Sequence, residues 1–349
     1  MSAFYQAVGW NRQKRLYDAT IAAGVLVYLL LFVAVGARAF PDATAETLLI
    51  RALGSAAFLL LTIVLCIGPL ARLDRRFLPL LYNRRHLGVT TFTVGLAHAT
   101  FALVQFHSQG NVNPLVSVLT GNARVDDLGQ FPFEPLGLAA LGILFLLAAT
   151  SHDFWLANLT APVWKTLHMM VYLAYTLLIF HVALGVLQAE TSPVLSGALA
   201  AGVASVVGLH LMAGWGELRK DREVTGGLED GWVDVCAVDE IENNRGRVAC
   251  IGGERLAVFR YDGRVSCVSN VCQHQNGPLG EGKVVDGLIT CPWHGYQYCP
   301  DTGTSPAPFT EKIPTFRVRV IGDRIQVDPR PNPAGTRVEP ALLRSQPHG

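Results

Sequence analysis

Six long apolar runs in the first 216 residues limit what this chain can fold into more than any other feature. They cover residues 19–36, 47–70, 88–107, 136–150, 163–187 and 194–215. A helix of about 20 apolar residues spans the hydrocarbon core of a bilayer. Only 16% of the residues are charged and the mean hydropathy is +0.33, which is not typical of a soluble protein. The sequence therefore predicts an all-α, six-helix transmembrane bundle. A cleaved signal peptide is the alternative for the first run alone, which follows a basic start.

Basic residues crowd alternate connections between these runs. The arginines after the second run and the basic residues after the sixth are Arg72, Arg75, Arg76, Arg84, Arg85, Arg219, Lys220 and Arg222. The connection after the third run carries Asp126, Asp127 and Glu134 against a lone Arg124. The positive-inside rule then places both termini of this multi-pass protein in the cytoplasm, and the resemblances given below imply that the membrane is a bacterial inner membrane. A formal net charge of +1 gives no reason to expect a nucleic-acid partner.

Beyond residue 230 the pattern changes to short β runs separated by glycine-containing turns. Residues 232–238, 248–251, 256–261 and 265–268 are such runs, and 316–320 is expected to pair with 325–327. The predicted domain limits are a membrane domain over 1–216, a linker over 217–230, an all-β domain over 231–329 and a disordered tail over 330–349. The tail is assigned as disordered because it is rich in proline and polar residues.

Two mixed pairs of cysteine and histidine lie in the β half. The sequence reads Cys272-Gln273-His274 and, after sixteen residues, Cys291-Pro292-Trp293-His294. Two thiolates can hold one iron and two imidazoles the other, which is the mixed ligation of a [2Fe–2S] centre with two histidines. A structural zinc site is the alternative, but zinc fingers usually pair Cys with Cys and His with His along the chain.

Residues 232–329 resemble the Rieske family on these two pairs. The resemblance implies that Cys272 and Cys291 bind the buried iron and that His274 and His294 bind the exposed one. The second cysteines of the respiratory members, which form a disulfide, are replaced by Gly277 and Trp293, so the chain looks like the disulfide-free, ferredoxin-type members. The cluster-bonding serine of high-potential members is replaced by Tyr296. We therefore expect a potential in the lower part of the Rieske range, whose floor is about −150 mV.

Several histidines fall inside the apolar runs, where an ionisable side chain is costly and is a functional candidate by default. His98 lies near the middle of the third run, and His168 and His181 lie near opposite ends of the fifth. The last two are about 20 Å apart along a helix axis, a spacing suited to stacked haems. They would also point about 140° apart on an ideal helix, so a local irregularity is expected. Histidines that only form hydrogen bonds between helices are the alternative.

The segments around these histidines resemble the ferric reductase-like transmembrane domain. The matching stretches, within residues 47–187, are Ile67-Gly68-Pro69-Leu70-Ala71-Arg72, Arg84-Arg85-His86-Leu87-Gly88, Leu96-Ala97-His98, Trp164-Lys165-Thr166-Leu167-His168 and Val171-Tyr172-Leu173. The similarity includes the haem-binding membrane subunits of bacterial periplasmic methionine sulfoxide reductase systems. It implies one or two b-type haems, with His98 and His181 as a full ligand pair and His168 as a further ligand. His86 and His210 are tentative partners of His168.

Together the two resemblances imply an electron-transfer protein or oxidoreductase component. We expect a cytosolic reductase or ferredoxin to donate electrons through the cluster and haem to a quinone, ferric iron or a periplasmic redox protein. One alternative is a quinol-oxidising protein whose Rieske domain donates electrons to a cytosolic oxygenase or reductase. A non-catalytic redox sensor is another. The sequence has no glycine-rich nucleotide-binding segment of the Gly-x-Gly-x-x-Gly type that opens a helix after a strand.

Overall fold

The computed structural model divides the chain into two compact units, one ending at Leu211 and the other beginning at Met212. The residues that the structure describes are 12–121, 131–151, 155, 159, 161–185, 193–221, 231–274, 276–293, 295–307 and 309–343. His294, one of the four predicted cluster ligands, lies outside them.

The first unit is helical, as the apolar runs predict. Its helices, the last of which continues into the second unit, are α1 (Arg12–Ala39), α2 (Ala45–Leu73), α3 (Leu78–His107), α4 (Pro114–Thr120), α5 (Glu134–Ala149), α6 (Ala161–Met169), α7 (Val171–Leu184) and α8 (Pro193–Asp221). Proline occupies the first turn of α3, α4 and α5, where its missing N–H has no helical partner in any case.

Five stretches of the described residues are helical, long and apolar enough to cross a membrane, one fewer than the six predicted spans. The predicted fourth span is α5, which is apolar but has 16 residues and a length of about 24 Å. That is shorter than a hydrocarbon core of about 30 Å. The bundle nevertheless uses α5 as a core helix, because Ala140, Leu144 and Leu147 pack with side chains of α2 and α7 in one buried cluster.

The fifth predicted span is interrupted between α6 and α7. Met170 has φ −62° and ψ −10°, and its N–H donates to Leu167 O, three residues back, at 3.1 Å. This is the spacing of a 3₁₀ turn. The irregularity expected between His168 and His181 is therefore present.

The second unit contains two antiparallel sheets. Its strands are β1 (Val233–Ala237), β2 (Arg245–Ile251), β3 (Glu254–Tyr261), β4 (Arg264–Ser269), β5 (Lys283–Val285), β6 (Leu288–Thr290), β7 (Gln297–Tyr298), β8 (Thr315–Phe316), β9 (Val318–Ile321), β10 (Arg324–Val327) and β11 (Ala341–Leu342). One sheet has the order β1-β10-β9 and the other β11-β4-β3-β2-β5-β6-β7, with β8 also on β4. The predicted pairing across Gly322 is confirmed, with Val318 opposite Val327.

Two turns explain the tight β2-β3-β4 meander. Gly252 and Gly253 have φ of +61° and +86°, and Asp262 and Gly263 have φ of +45° and +68°. Two successive positive φ values belong to the type I′ turn, whose twist matches that of antiparallel strands. Two apolar clusters lie on opposite faces of β3, one with Leu256 and Val258 and the other with Ala257, Phe259 and Tyr298.

The prediction of a disordered tail over 330–349 is wrong for residues 330–343, and residues 344–349 lie outside the described ranges. β11 pairs with β4, Ala341 opposite Val265. Main-chain hydrogen bonds fix the segment that leads to β11, such as Val338 N–H to Asp301 O at 2.8 Å. The proline-rich composition suggested disorder, but a segment of this kind can stay extended while its remaining amides bond to a neighbouring segment. The other predicted limits stay predictions, although α8 continues to Asp221, past the proposed start of the linker.

Candidate metal centres

The two cysteines of the β domain each begin a loop of the same form. Asn276 N–H donates to Cys272 O at 2.7 Å, and Gly295 N–H donates to Cys291 O at 3.0 Å. In return Cys272 N–H donates to Gly277 O and Cys291 N–H to Tyr296 O, at 3.0 and 2.8 Å. Asn276 and Gly295, four residues after their cysteines, have positive φ values of +57° and +72°. Two matching loops therefore present two thiols from the ends of strands.

The two loops touch at Gly277. A Cβ on Gly277 would lie 2.7 Å from Cys291 Sγ and 3.2 Å from ring atoms of Trp293, so only glycine lets the loops approach this closely. Gly277 and Trp293 are the positions predicted to replace the disulfide of other family members. All seven cysteines lie in described parts of the chain, and none of them is in a disulfide. Cys272 and Cys291 are both buried, in the same cluster as Tyr298.

Tyr298 lies against the first thiol, a contact that sequence reasoning missed. Its hydroxyl oxygen accepts from Gln273 N–H at 3.0 Å and lies 3.5 Å from Cys272 Sγ. With the oxygen occupied as an acceptor, the hydroxyl hydrogen can be donated to the sulfur. Burial, and then the neighbouring Cys272 sulfur, raise the pKa of Tyr298. The hydroxyl therefore stays protonated and remains a donor.

His274 is held by an aromatic ring. Tyr296 stacks on it with ring centres 4.9 Å apart and planes 9° apart, and the Tyr296 hydroxyl donates to the Glu311 carboxylate. Burial, and then the hydrogen bond to Glu311, raise the pKa of Tyr296. Tyr296 replaces the serine of high-potential members, and its hydroxyl binds Glu311. The lower potential stays a prediction, and the contact between the Tyr298 hydroxyl and Cys272 Sγ is one hydrogen bond to sulfur that it did not count.

These residues fit a [2Fe–2S] cluster. Two buried soft thiols on adjoining loops, and the half-buried imidazole of His274 two residues after the first thiol, provide the mixed donor set that such a cluster requires. Within the described ranges no three His, Cys, Asp or Glu side chains converge on one metal ion. That is compatible with a cluster, because its ligands are divided between two irons.

The helical unit brings His98 and His181 together. Their ring centres are 6.4 Å apart and their planes differ by 82°. An imidazole nitrogen binds a metal at about 2 Å, and the ring centre is about 1 Å farther, so two rings on opposite sides of one iron have centres about 6 Å apart. The separation fits one haem iron between His98 and His181.

Both rings are oriented by a main-chain carbonyl of a neighbouring helix or its cap. His98 Nδ1 lies 2.9 Å from Ile50 O, and His181 Nδ1 lies 2.9 Å from Phe133 O. A carbonyl can only accept, so the proton is on Nδ1 and the lone pair of each neutral ring is on Nε2. This arrangement fixes the tautomer and the ring direction that a haem ligand needs.

Each ring also lies against a glycine. A Cβ on Gly54 would lie 2.9 Å from His98 Cε1, and a Cβ on Gly137 would lie 2.8 Å from His181 Cε1. Gly54 is four residues after Ile50, and Gly137 is four residues after Phe133. In each case the carbonyl and the space left by the glycine together hold the imidazole ring against the helix. We call these two places, Ile50 with Gly54 and Phe133 with Gly137, the cradles. Sequence reasoning missed both glycines, since a glycine in an apolar helix usually indicates close packing without saying what packs there.

His168 has the same tautomer but a different surrounding. Its Nδ1 lies 3.0 Å from Trp164 O, and its ring stacks on Trp164 with centres 3.7 Å apart. Its Nε2 is buried and has no hydrogen-bond partner among the described residues. A buried nitrogen lone pair without a donor fits a metal ligand.

The two tentative partners of His168 are engaged elsewhere. His86 Nδ1 lies 2.8 Å from Asp18 Oδ1. His210 uses both nitrogens, Nδ1 toward Val206 O at 2.8 Å and Nε2 toward the Tyr172 hydroxyl at 2.9 Å. His210 would have to give up the Tyr172 hydrogen bond to bind iron, whereas His86 could keep its bond to Asp18.

The sequence matches two known protein families. Residues 231–317 match the Rieske [2Fe-2S] domain, and residues 53–179 match the ferric reductase like transmembrane component. The ferredoxin component of the alkene monooxygenase system of Xanthobacter autotrophicus is 29% identical over 103 residues, which are 29% of this chain and 84% of that protein. The ferredoxin component of the naphthalene 1,2-dioxygenase system of Pseudomonas aeruginosa is 28% identical over 102 residues, which are 29% of this chain and 98% of that protein.

Among solved structures, the ferredoxin of carbazole 1,9a-dioxygenase from Nocardioides aromaticivorans aligns with 28% of this chain and 98% of its own, at 25% identity and a TM-score of 0.27. The family matches account for both predicted domains in the predicted order. The chain therefore carries a ferric reductase-like transmembrane domain followed by a Rieske [2Fe–2S] domain, and it is a membrane electron-transfer protein.

Proposed function

We propose that this protein transfers electrons across the bacterial inner membrane, from a soluble cytosolic donor to an acceptor in the membrane or the periplasm. The observation that carries the proposal is the pair His98 and His181, whose ring centres lie 6.4 Å apart with nearly perpendicular planes, a separation suited to one haem iron. An iron–sulfur domain alone can serve a soluble chain, but a haem-ligand pair inside an apolar bundle is useful for moving electrons through lipid.

In the Rieske domain, Cys272 and Cys291 would hold one iron of the cluster and His274 and His294 the other. A cluster bound there accepts and releases one electron at a time. The chain contributes the surroundings. Burial of both cysteines excludes water from the thiolates, and the Tyr298 hydroxyl can donate a hydrogen bond to a thiolate at Cys272 Sγ. Stacking on Tyr296 restrains the ring of His274.

In the membrane domain, His98 and His181 would hold a b-type haem, and His168 would hold a second haem if two are bound. Haem iron supplies one-electron chemistry. The chain keeps the Nε2 lone pairs of the two facing histidines available by binding their Nδ1 protons to Ile50 O and Phe133 O. His86 and His210 stay tentative partners of His168.

The orientation is proposed from charge. The arginines that follow α2, among them Arg72 and Arg76, and Arg219 near the end of α8 would lie on the cytoplasmic side by the positive-inside rule. Both termini and the Rieske domain would then be cytoplasmic.

The partners are proposed from the chemistry and from the relatives. The similar proteins are ferredoxin components of oxygenase systems, which supports a soluble reductase or ferredoxin as the electron donor. Quinone, ferric iron and a periplasmic redox protein are the acceptors that fit a membrane protein of this design.

The function is tested in liposomes that contain the purified protein and enclose ferricyanide as an impermeant acceptor, with dithionite added outside. The wild type should reduce the enclosed acceptor, and His181→Ala should lower the rate to that of protein-free vesicles. His107→Ala is the matched control, because His107 binds Ser117 and Glu134 at the end of α3. Equal rates for wild type and His181→Ala would contradict the proposal.

A further inference from the structure

The two facing histidines are held by two copies of the same arrangement. In each copy a carbonyl, a glycine four residues later and a histidine occupy equivalent places. The pairs of equivalent residues are Ile50 and Phe133, Gly54 and Gly137, and His98 and His181. Every pair is separated by 83 positions in the chain. The distance from Nδ1 to the carbonyl oxygen is 2.9 Å in both copies.

The same spacing of 83 recurs in the sequence around these residues. Leu53-Gly54-x-Ala56-Ala57 on α2 matches Leu136-Gly137-x-Ala139-Ala140 on α5. Further identical pairs at this spacing are Pro79 with Pro162, in the first turns of α3 and α6, and Thr93 with Thr176.

The matched threonines also behave alike. Thr93 Oγ1 donates to Val89 O at 3.0 Å, and Thr176 Oγ1 donates to Tyr172 O at 2.9 Å. The correspondence therefore covers a helix pair in each copy, α2 with α3 and α5 with α6 and α7.

We propose that helices α2 and α3 and helices α5 to α7 form an internal two-copy repeat, and that Gly54 and Gly137 are paired positioning residues that bring His98 and His181 to one iron. This inference rests on the proposed haem role of the two histidines. Equivalent residues of two copies contact each other only when the copies are related by an approximate two-fold axis. His98 and His181 are equivalent and lie ring to ring, so the axis passes between them.

The correspondence does not extend to the other histidines. The position equivalent to His168 is Arg85, and the position equivalent to His86 is Met169. α3 is also continuous where its counterpart breaks between α6 and α7. The two copies therefore build one symmetric two-histidine site, and His168 lies outside that symmetry.

The role of the glycines follows from space. An alanine methyl at position 54 or 137 would lie inside contact distance of an imidazole carbon, so the ring would have to leave its place above the carbonyl. The change would weaken the hydrogen bond to Nδ1, which orients the ligand. Loss of an orienting partner typically weakens metal-site affinity by about 10- to 100-fold.

The test compares Gly54→Ala and Gly137→Ala in the full-length protein, with Gly142→Ala as the control. Gly142 lies on α5, and among the described residues no heavy atom beyond its chain neighbours and the nearby backbone of α5 lies within 4 Å of a Cβ built there. Both cradle variants should lose haem affinity by a similar factor and shift the EPR g-values of the low-spin haem, while the iron–sulfur signal and the control stay unchanged. A wild-type haem spectrum in either cradle variant would overturn the inference.

A double-mutant cycle separates this effect from general misfolding. The atoms that a methyl group at position 54 would contact belong to His98. In a His98→Ala background this steric conflict is removed, so Gly54→Ala should no longer lower the midpoint of thermal unfolding. It should still lower the midpoint in a His181→Ala background. An equal loss in both backgrounds would contradict the positioning role. If the wild type itself binds no haem, the proposed function fails; if it binds haem and the glycine variants are silent, only the repeat fails.

Discussion

The two domains fix their candidate metal ligands in different ways. In the Rieske domain the ligands lie on loops, and each loop is closed by main-chain hydrogen bonds within six residues of its cysteine. In the membrane domain the ligands lie on helices, and a carbonyl and a glycine 48 and 44 residues away in the chain orient each ring. Local hydrogen bonds make the first site recognisable from a short motif. The second site exists only when helices pack, so it should be more sensitive to substitutions away from the ligands.

The largest expected effect is the loss of one centre without the other. Cys272→Ser should abolish the EPR signal of the cluster and leave the haem bands intact, because the two ligand sets share no residue. Cys250→Ser, on β2, is the control and should keep both signals. A cluster signal that persists in Cys272→Ser would break the assignment of the loops.

The reverse experiment removes a helix-held ligand. His98→Ala should abolish the low-spin haem bands in reduced-minus-oxidised spectra and leave the cluster signal at wild-type intensity. His107→Ala should change neither. Haem bands unchanged in His98→Ala would refute the facing pair as the ligands.

A smaller effect is expected from the hydrogen bond to the cluster thiol. Tyr298→Phe removes the hydroxyl 3.5 Å from Cys272 Sγ and should lower the cluster potential. A net hydrogen bond contributes about 0.5–1.5 kcal/mol, which corresponds to about 20–65 mV for one electron. Tyr261→Phe, whose hydroxyl contacts Ser266 and Asp301, is the control. A redox titration followed by EPR measures the shift, and an unchanged potential would show that the hydroxyl does not bond to the sulfur.

The smallest expected effect is on the stability of the β domain, at an ion pair away from both sets of candidate ligands. The Arg330 guanidinium, with help from its backbone N–H, holds the pKa of the buried Asp328 below its usual range. A carboxylate with a lowered folded-state pKa stabilises the fold above its unfolded pKa of about 3.9, and this contribution is lost as the pH falls through the folded value.

Asp328→Asn should therefore lower the unfolding midpoint at pH 7, and the difference from wild type should shrink at acid pH. Calorimetry at several pH values checks this. Asp323→Asn, in the exposed β9-β10 turn, should have little effect at any pH. A pH-independent difference for Asp328→Asn would remove the ion pair as its cause.

The sequence allowed most of the Rieske site to be predicted, since Cys272, His274 and Cys291 lie within twenty residues of one another and their loops close locally. It also predicted the strand pairs next to glycine turns. It did not reveal that Tyr298 reaches Cys272 or that residues 331–343 pair with the sheet. Those contacts join segments whose neighbours are chosen by packing and not by local periodicity.

By itself the sequence determined the two domain classes, the candidate ligands and the side of the membrane that we propose for each loop, because hydropathy, motif spacing and charge are properties of local stretches. The resemblance already paired His98 with His181, but only the tertiary structure decided how close the rings of these two histidines lie. It also decided the proton positions on their rings and the use of Gly54 and Gly137 as cradles. A ring orientation depends on the carbonyl and the empty volume that a second helix presents, and these arise only when the helices pack.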